Sequence, residues 1–476
     1  MNPAWRVLKN STALSFTVLL EQGVAWFVPW YVARIQGMED WGYYSTALAF
    51  ITIAAPLAYW GLDQLLPREV ARDRAQAGIL LANAGVVGGI VSLLATGIAL
   101  GVVHFLDYPL PVEQLIYVGL ILVLLPRTEA ILCEAVINGL ERMEWIVLVR
   151  FPITVLRVSL SILLLAKGFS LQVLFFAWAG YYVLASGIYV VLLKRAVPGF
   201  GLRFDRRLGS ELAVRAFPFA VTIFVGETAK HIDRIFISKF QNTDAVGIYT
   251  AGILLVQMMY LIAPAIMNAL FPGLSRAYVA SRERFSVLVS RLFRYLFAST
   301  VPVALAITAF ADELILLIFG QEYVASIPVL RIYSLGIVPS FLARLLYRSL
   351  LASDNERVAV KVSVVNSVVG LLLIILLIPR YGLIGASIAA VSLEVFGLVQ
   401  NLFYISRGIV RFEFRRALLL PACCTLVSIS LYLILLRWNP IAAWLFSTAG
   451  FVGMIFVTKV ITREDLSMFS IGKLRI

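Results

Sequence analysis

One apolar segment of this chain contains a run of charged residues that could bind an anion. Five of them fall within eight positions: Glu227, Lys230, His231, Asp233 and Arg234. All but Asp233 follow the i, i+3, i+4, i+7 spacing of a single helix face. Glu227 can neutralise Lys230, but Lys230 and Arg234 are like charges four residues apart. The face therefore forms either a salt-bridge ladder in a wet groove or, as its excess positive charge favours, a contact with substrate.

Other cations stand inside apolar segments elsewhere in the chain. A charge near the centre of a bilayer costs at least about 2.5–3.5 kcal/mol on insertion scales, so each one needs a partner, water or a route to the interface. Arg150 and Arg157 share a helix face, and Arg150 is close enough to the segment end to snorkel, whereas Arg157 is deeper. We expect a set of deep cations to line a cavity and bind substrate: Arg127, Arg157, Lys230, Arg234, Arg331 and Arg344.

Acidic residues in the same segments could couple transport to an ion, and we assign this role to Glu21, Glu227 and Asp233. Glu21 lies near the middle of the first apolar segment. Its carboxylate either takes up a proton, because burial disfavours the ionised form, or pairs permanently with a basic residue of another helix. The sequence leaves both alternatives open. Glu129 and Glu394 are further acids within apolar segments.

The composition shows what must position these residues. Of 476 residues, 61% are hydrophobic and 14% are charged, whereas soluble domains are about 45–50% apolar and about 25% charged. We predict an all-α integral membrane protein with about 14 transmembrane helices of about 20 residues each, which leaves no room for a large soluble catalytic domain. The segments are roughly 11–33, 43–66, 78–105, 114–137, 145–166, 171–193, 211–238, 246–270, 286–310, 326–350, 358–378, 383–405, 417–436 and 441–461.

The formal net charge of +13 is placed in the loops between these segments. Clusters such as Arg203, Arg206 and Arg207 occupy every second loop, whereas the intervening loops carry single cations such as Lys167 and Arg380. By the positive-inside rule, this alternation places both termini in the cytoplasm. The charge therefore indicates orientation in the cytoplasmic (inner) membrane and not a nucleic-acid partner.

An internal repeat divides the chain. Trp41-Gly42-Tyr43-Tyr44 is similar to Val246-Gly247-Ile248-Tyr249, and Pro67 occupies the same register as Pro272. Parallel repeats of this kind occur in secondary transporters that move two lobes around a site at the membrane midplane. We predict an N-terminal lobe over 1–200 with helices 1–6, a C-terminal lobe over 201–410 with helices 7–12, and a final helix pair with a cytoplasmic tail over 411–476.

Short segments along nearly the whole chain carry a resemblance to a known family. They include Trp41-Gly42-Tyr43-Tyr44, Pro67-Arg68-Glu69, Phe271-Pro272-Gly273, Ile318-Phe319-Gly320 and Pro379-Arg380-Tyr381-Gly382. In order and spacing they resemble the polysaccharide-transporter branch of the multidrug/oligosaccharidyl-lipid/polysaccharide (MOP) flippase superfamily. The resemblance implies two homologous six-helix lobes forming a V around a central cavity. It also implies that the protein moves a polyprenyl-diphosphate-linked oligosaccharide, such as a polysaccharide or O-antigen repeat unit, between leaflets by alternating access.

Several alternatives are weighed against this interpretation. The chain lacks the Gly-x-x-x-x-Gly-Lys-Ser/Thr motif of ATP hydrolysis, and its short outer loops argue against a membrane glycosyltransferase or polymerase. A peptidoglycan lipid-precursor flippase and a MATE-like cation-coupled drug exporter of the same fold remain, although buried arginines favour an anionic substrate. We expect no enzymatic activity, cofactor or metal. The expected partners are the lipid-linked glycan, membrane lipids and the polysaccharide polymerase machinery.

Overall fold

The computed structural model describes residues 20–410, 420–435 and 440–458, and within these ranges it contains helices and no strand. Two short 3₁₀ helices cover Arg74–Gln76 and Gln321–Ser326. The first α-helix continues as a π-helical turn over Val32–Gln36. The α-helices are α1 Phe27–Tyr31, α2 Met38–Ala58, α3 Leu62–Arg72, α4 Ala77–Phe105, α5 Leu110–Gly139, α6 Met143–Ala166, α7 Gln172–Ala196, α8 Arg206–Phe240, α9 Thr243–Ala280, α10 Arg282–Ala309, α11 Ala311–Ile318, α12 Ile327–Ser334, α13 Ile337–Ala352, α14 Glu356–Ser406, α15 Leu420–Leu435 and α16 Pro440–Val457.

The chain is a multi-pass, all-helical membrane protein. In the described ranges, ten helical segments are long and apolar enough to cross a bilayer. Predicted and observed ends agree closely where a span is uninterrupted: the segment 78–105 corresponds to Ala77–Phe105, and the segment 145–166 to Met143–Ala166. The count of 14 crossings and the V-shaped arrangement of two lobes stay predictions.

One very long helix, α14, contains a break at Gly382, where φ is 53° and ψ is −130°. This conformation suits glycine because a Cβ atom would clash with the backbone. On either side of the break the chain folds back on itself. A Cβ atom at Gly370 would lie 2.9 Å from the side chain of Leu393, and one at Gly397 would lie 3.3 Å from Asn366. The predicted segments 358–378 and 383–405 are therefore the two arms of a helical hairpin.

Two predicted spans are not continuous. The segment 43–66 breaks between α2 and α3, where Trp60 and Gly61 have φ values of 54° and 72°. The indole nitrogen of Trp60 donates a hydrogen bond to the carbonyl oxygen of Ala213 at 2.9 Å, so a contact with α8 fixes this turn. The segment 326–350 likewise divides into α12 and α13 at Gly336. Hydropathy averaged over a whole span does not detect either break, because most residues of both spans are apolar.

Contacts divide the chain into two compact units, Met1–Thr250 and Ala251–Ile476. In the first unit, α8 packs against α2, α3 and α4. In the second unit, α14 packs against α12 and α13, and α15 against α16. The helix that we predicted as the first of the C-terminal lobe thus packs with the helices that precede it. The repeat boundaries at 200 and 410 stay predictions, and much of the tail after 411 lies outside the described residues.

The glycines of the predicted repeat face each other within the first unit, at the starts of α2 and α9. A Cβ atom at Gly42 would lie 2.1 Å from the carbonyl oxygen of Thr243, and one at Gly247 would lie 2.7 Å from that of Met38. Side-chain carbons do not approach backbone oxygens this closely in folded proteins, so the two helices can cross here only without side chains. The shared glycine thus has a packing role.

We expect Gly42→Ala to lower the free energy of unfolding by about 1–3 kcal/mol, because overpacking must push the two helix starts apart. The measurement is the thermal unfolding temperature of the purified protein in detergent. Gly97→Ala on α4 is the matched control, since a Cβ atom there would meet nothing within 4 Å. Its expected effect is neutral or slightly stabilising, by up to about 1 kcal/mol. Equal melting temperatures for the two variants would contradict the close crossing.

Candidate functional site

The charged run on α8 forms a connected ladder. Lys230 Nζ lies 2.7 Å from Glu227 Oε1, and His231 Nε2 lies 3.5 Å from Glu227 Oε2. His231 Nδ1 lies 2.6 Å from a guanidinium nitrogen of Arg234. The predicted shared face and the pairing of Glu227 with Lys230 are confirmed. Asp233 points elsewhere, as its position in the helix predicts, and accepts a hydrogen bond from the hydroxyl of Tyr249 at 2.7 Å.

The ladder carries one net positive charge. Arginine has only donors, so His231 Nδ1 must accept the bond from Arg234, and the proton of the neutral imidazole then lies on Nε2, facing Glu227. Lys230 pairs directly with the carboxylate of Glu227, whereas Arg234 is connected to it only through His231. Arg234 is 7% exposed, and its Nε atom is buried without a hydrogen-bond partner among the described residues. The ladder therefore combines a buried arginine with a lysine whose side chain is 66% exposed, and one anionic oxygen at the arginine would neutralise its excess charge.

A second network surrounds Glu21, which is 8% exposed on the helical segment 20–25. Its carboxylate pairs with Arg150 of α6, with Nη2 3.0 Å from Oε2. Thr154, one turn along α6, donates a hydrogen bond to Glu21 at 3.1 Å, and Tyr181 of α7 donates one at 3.4 Å. Of the two alternatives open for Glu21, the structure has the ion pair with a basic residue of another helix.

Arg150 also reaches an acid that sequence analysis missed. Its Nη1 atom lies 3.5 Å from Glu134 Oε2 on α5, and Tyr189 of α7 donates a hydrogen bond to Glu134 at 3.1 Å. Snorkelling was therefore the wrong expectation for Arg150, because two buried carboxylates hold its guanidinium inside the protein. The available signal for Glu134 was its position as an acid inside an apolar segment. Nothing in the sequence marks Tyr181 and Tyr189 as hydrogen-bond donors to these acids.

Arg157 lies two turns further along α6 and contacts aromatic rings. Its guanidinium carbon lies 5.1 Å from the ring centroid of Trp178 and 5.5 Å from that of Tyr181, both on α7. Tyr181 thus contacts Arg157 through its ring and the Glu21–Arg150 pair through its hydroxyl. Among the described residues, no carboxylate pairs with Arg157. It lines an apolar groove of about 240 Å³ between α6 and α7.

Arg127 of α5 lies near the charged ladder. Its Nε atom is buried, with no hydrogen-bond partner among the described residues. The hydroxyl of Tyr59 interacts electrostatically with Arg127 of α5, with Asp63 of α3 and with Glu227 of the ladder on α8. Asp63 Oδ1 is also buried without a hydrogen-bond partner. This polar region belongs entirely to the first unit.

The two predicted cations of the second unit both have acidic neighbours. Arg331 pairs with Asp312 at 2.6 Å, and both side chains are about half exposed. Arg344 lies 3.9 Å from Glu394 and over the ring of Tyr260, 5.0 Å from its centroid. The predicted set of six cations thus divides by partner. Arg127 and Arg157 have no carboxylate partner among the described residues. Lys230, Arg331 and Arg344 each lie beside an acid, and Arg234 is joined to His231.

Comparison with known proteins gives the family. A model described as polysaccharide biosynthesis protein matches residues 7–278, which is more than half of the chain. The chain belongs to the polysaccharide biosynthesis protein family. A second model, lipid II flippase MurJ, matches residues 160–459 of this polysaccharide biosynthesis family member. The predicted membership of the MOP flippase superfamily is thereby confirmed, and proteins of these families are transporters and not enzymes.

The polysaccharide biosynthesis family member is also similar to individual proteins. It is 22% identical to the "Probable low-salt glycan biosynthesis flippase Agl15" of Haloferax volcanii over 49% of each chain, so it spans about half the length of that relative. Its fold matches the inward closed conformation of the lipid II flippase MurJ, with a TM-score of 0.73 and 12% identity. The match covers 94% of this chain and 99% of the MurJ chain. It also matches an inward-facing multidrug resistance MATE family transporter of the MOP superfamily, with a TM-score of 0.64 and 13% identity. This match covers 83% of this chain and 97% of the transporter chain.

Proposed function

We propose that this polysaccharide biosynthesis family member is a flippase that moves a polyprenyl-diphosphate-linked oligosaccharide across the cytoplasmic membrane by alternating access. The observation that carries the proposal is the presence of arginines within membrane helices of the first unit that have no carboxylate partner among the residues that the structure describes. Arg127 Nε is buried with no hydrogen-bond partner among the described residues, and Arg157 lies over the rings of Trp178 and Tyr181 and lines an apolar groove. Unpaired cations are costly in a membrane protein and are retained where they contact a ligand or ion.

The chemistry of the substrate fits these groups. A diphosphate headgroup has several anionic oxygens that must exchange water for other donors when they enter the membrane. A guanidinium offers planar, bidentate hydrogen bonds to phosphate oxygens. The rings of Trp178 and Tyr181 lie 5.1 Å and 5.5 Å from the guanidinium carbon of Arg157 and stabilise its charge by cation–π contact. The ladder on α8, with its net positive charge, supplies Lys230 and Arg234.

The other assignments of residues belong to the same proposal. Arg331 and Arg344 meet the substrate at a different stage, since each must first leave an acidic neighbour. Glu21, Glu227 and Asp233 take part in ion coupling, and protonation of any one of them would remove a contact that the structure has now. Both termini lie in the cytoplasm, and polysaccharide polymerase machinery receives the glycan.

A peptidoglycan-precursor flippase is the second candidate function. The match of residues 160–459 to the lipid II flippase MurJ model favours it. Its substrate would also be a polyprenyl diphosphate, so the unpaired arginines serve both candidates equally. The glycan attached to the diphosphate distinguishes the two candidate substrates.

The test is transport by the purified protein in proteoliposomes. Fluorescent polyprenyl-diphosphate oligosaccharide, a fluorescent lipid II analogue and a cationic dye are supplied in parallel, and quenching from outside measures the fraction that crosses the bilayer. We expect both diphosphate lipids to move faster than in protein-free vesicles, with the faster of the two identifying the candidate. Movement of the dye alone would overturn the assignment of an anionic substrate.

A further inference from the structure

One acid inside the first unit has none of the partners that the other buried acids have. Glu129 lies on α5, ten residues before Gly139 and nineteen after Leu110, which places it about 15 Å and about 28 Å from the two helix ends. Its carboxylate faces two glycines of α4. A Cβ atom at Gly85 would lie 3.1 Å from Oε2, and one at Gly89 would lie 3.8 Å from Oε1.

Glu129 makes no hydrogen bond or ion pair with any described residue. By contrast, Glu21 and Glu134 share Arg150, and Glu227 pairs with Lys230. Arg127 is two positions away and therefore about 200° around the helix, on the opposite side. Among the described residues, therefore, no cation neutralises the carboxylate of Glu129.

The surroundings are a groove of about 650 Å³ between α4, α5 and α7. Among the residues that line the groove, no charged or titratable side chain of α4 or α7 faces Glu129. Its own helix, α5, contributes the thiol of Cys133. Arg203, in the loop between α7 and α8, is exposed and does not line the groove. The lining residues are Leu81, Ala82, Gly85, Val86, Glu129, Cys133, Val183, Ser186, Gly187, Val190, Leu202 and Phe204.

An apolar groove of this kind favours the neutral form of a carboxyl group over the ionised form. An ionised carboxylate without a partner is costly among apolar side chains, whereas the neutral acid is tolerated. Entry of water into the groove reverses the preference, because water solvates the anion. The two glycines leave space beside the carboxyl group, so a proton or a water molecule can reach it from the side of α4.

We propose that Glu129 is a proton-binding site of this transporter, distinct from the acids already held in ion pairs. Its carboxylate takes a proton from a hydronium ion, which becomes water, as the groove loses its water, and it gives the proton back to water when the groove is next hydrated. No other reactant is needed. The coupling role rests on the proposed transport function, whereas the proton-binding chemistry does not.

The first test is modification by dicyclohexylcarbodiimide, which reacts with protonated carboxyl groups in apolar surroundings. The acid O–H adds across one C=N bond, the proton ends on nitrogen, and the O-acyl product rearranges to a stable N-acylurea. Peptide mass spectrometry is expected to find the adduct at Glu129, decreasing as the pH rises, and to find none at Glu21 or Glu134. No adduct at Glu129, or a yield independent of pH, overturns the proposal.

A matched pair of glycine variants tests the geometry. Gly85→Ala places a methyl group 3.1 Å from the carboxyl oxygen and is expected to reduce the adduct, whereas Gly89→Ala, at 3.8 Å, is expected to leave it unchanged. Equal yields in the two variants would contradict access through the glycine side. Both variants are checked for an unchanged melting temperature before labelling, so that a loss of fold is not mistaken for a loss of access.

The second test is transport driven by a pH gradient in proteoliposomes. Glu129→Gln mimics the neutral acid in shape, so the variant is expected to fold and to lose the response of diphosphate-lipid movement to the gradient. A variant that responds as the wild type does overturns the coupling role. If the wild type moves no diphosphate lipid at all, the proposed function fails, and the labelling result still decides whether Glu129 binds a proton.

Discussion

Replacement of Arg150 by glutamine is expected to lower the free energy of unfolding by about 3–5 kcal/mol, because it leaves two buried carboxylates without their shared cation. Glu21 and Glu134 lie 3.0 Å and 3.5 Å from the Arg150 guanidinium, and their side chains are 10% and 20% exposed. Without the arginine they also repel each other across a short distance. Thermal or denaturant unfolding of the purified protein in detergent measures the effect.

The matched control removes an arginine from an exposed pair. Arg74 lies 2.8 Å from Glu141, closer than Arg150 lies to either acid, but the two side chains are 57% and 70% exposed. Arg74→Gln is expected to cost about 0–1 kcal/mol, since water screens the pair. If both variants unfolded at the same temperature, burial would not strengthen the Arg150 contacts.

A combined variant separates charge from packing. Adding Glu21→Gln and Glu134→Gln to Arg150→Gln removes the unpaired carboxylates, and much of the lost stability should return, because neutral amides cost less to bury than unpaired charges. Failure of this rescue would indicate that the shape of the arginine, and not its charge, holds the four helical segments together. The same comparison bears on Glu21, since a structural ion pair is the alternative to its proposed part in ion coupling.

Helix positions in this chain were predictable because a bilayer imposes the same requirement on every span. Each crossing needs about 20 apolar residues, and the sequence provides them in separate blocks. Breaks within blocks follow a different rule. The turn at Trp60 depends on a hydrogen bond to Ala213, more than 150 positions away. Such a contact leaves no trace in hydropathy, whereas the hairpin at Gly382 was marked by its neighbouring proline and glycine.

The same division between local and distant contacts applies to the site. Glu227, Lys230 and Arg234 could be placed on one face because helix geometry alone fixes the spacing. The partners of Arg150 could not, since Glu21 lies 129 positions away on a different helix. Six cations inside apolar segments suggested one positive region, but the structure pairs three of them with acids and joins Arg234 to His231. The sequence gives the number and positions of the charged residues, but it does not show which of them are neutralised by a partner on another helix.

Arg157→Gln is expected to weaken binding of a polyprenyl-diphosphate lipid by about 1.5–3 kcal/mol, or roughly 10- to 150-fold, which is the usual range for a hydrogen bond to a charged group. Stability should change little, because Arg157 leaves no carboxylate unpaired when it is removed. The measurement is the concentration dependence of flipping in proteoliposomes that contain equal amounts of wild-type or variant protein. Arg157→Lys should give an intermediate loss, since it retains the charge but not the planar, bidentate hydrogen-bonding geometry of a guanidinium.

The control for that measurement is another arginine that lies over a tryptophan. Arg142, just before α6, lies 5.4 Å from the ring centroid of Trp145, but its side chain is 58% exposed and has Glu144 at 3.7 Å. Arg142→Gln is expected to change binding by less than about 0.5 kcal/mol, because water and a carboxylate already satisfy the guanidinium. A cation over an aromatic ring is thus present in both places, and of the two only Arg157 lacks an acid within the described part of the chain. Equal losses for the two variants would show that surface charge attracts the lipid, and Arg157 would then have no special part in binding the diphosphate.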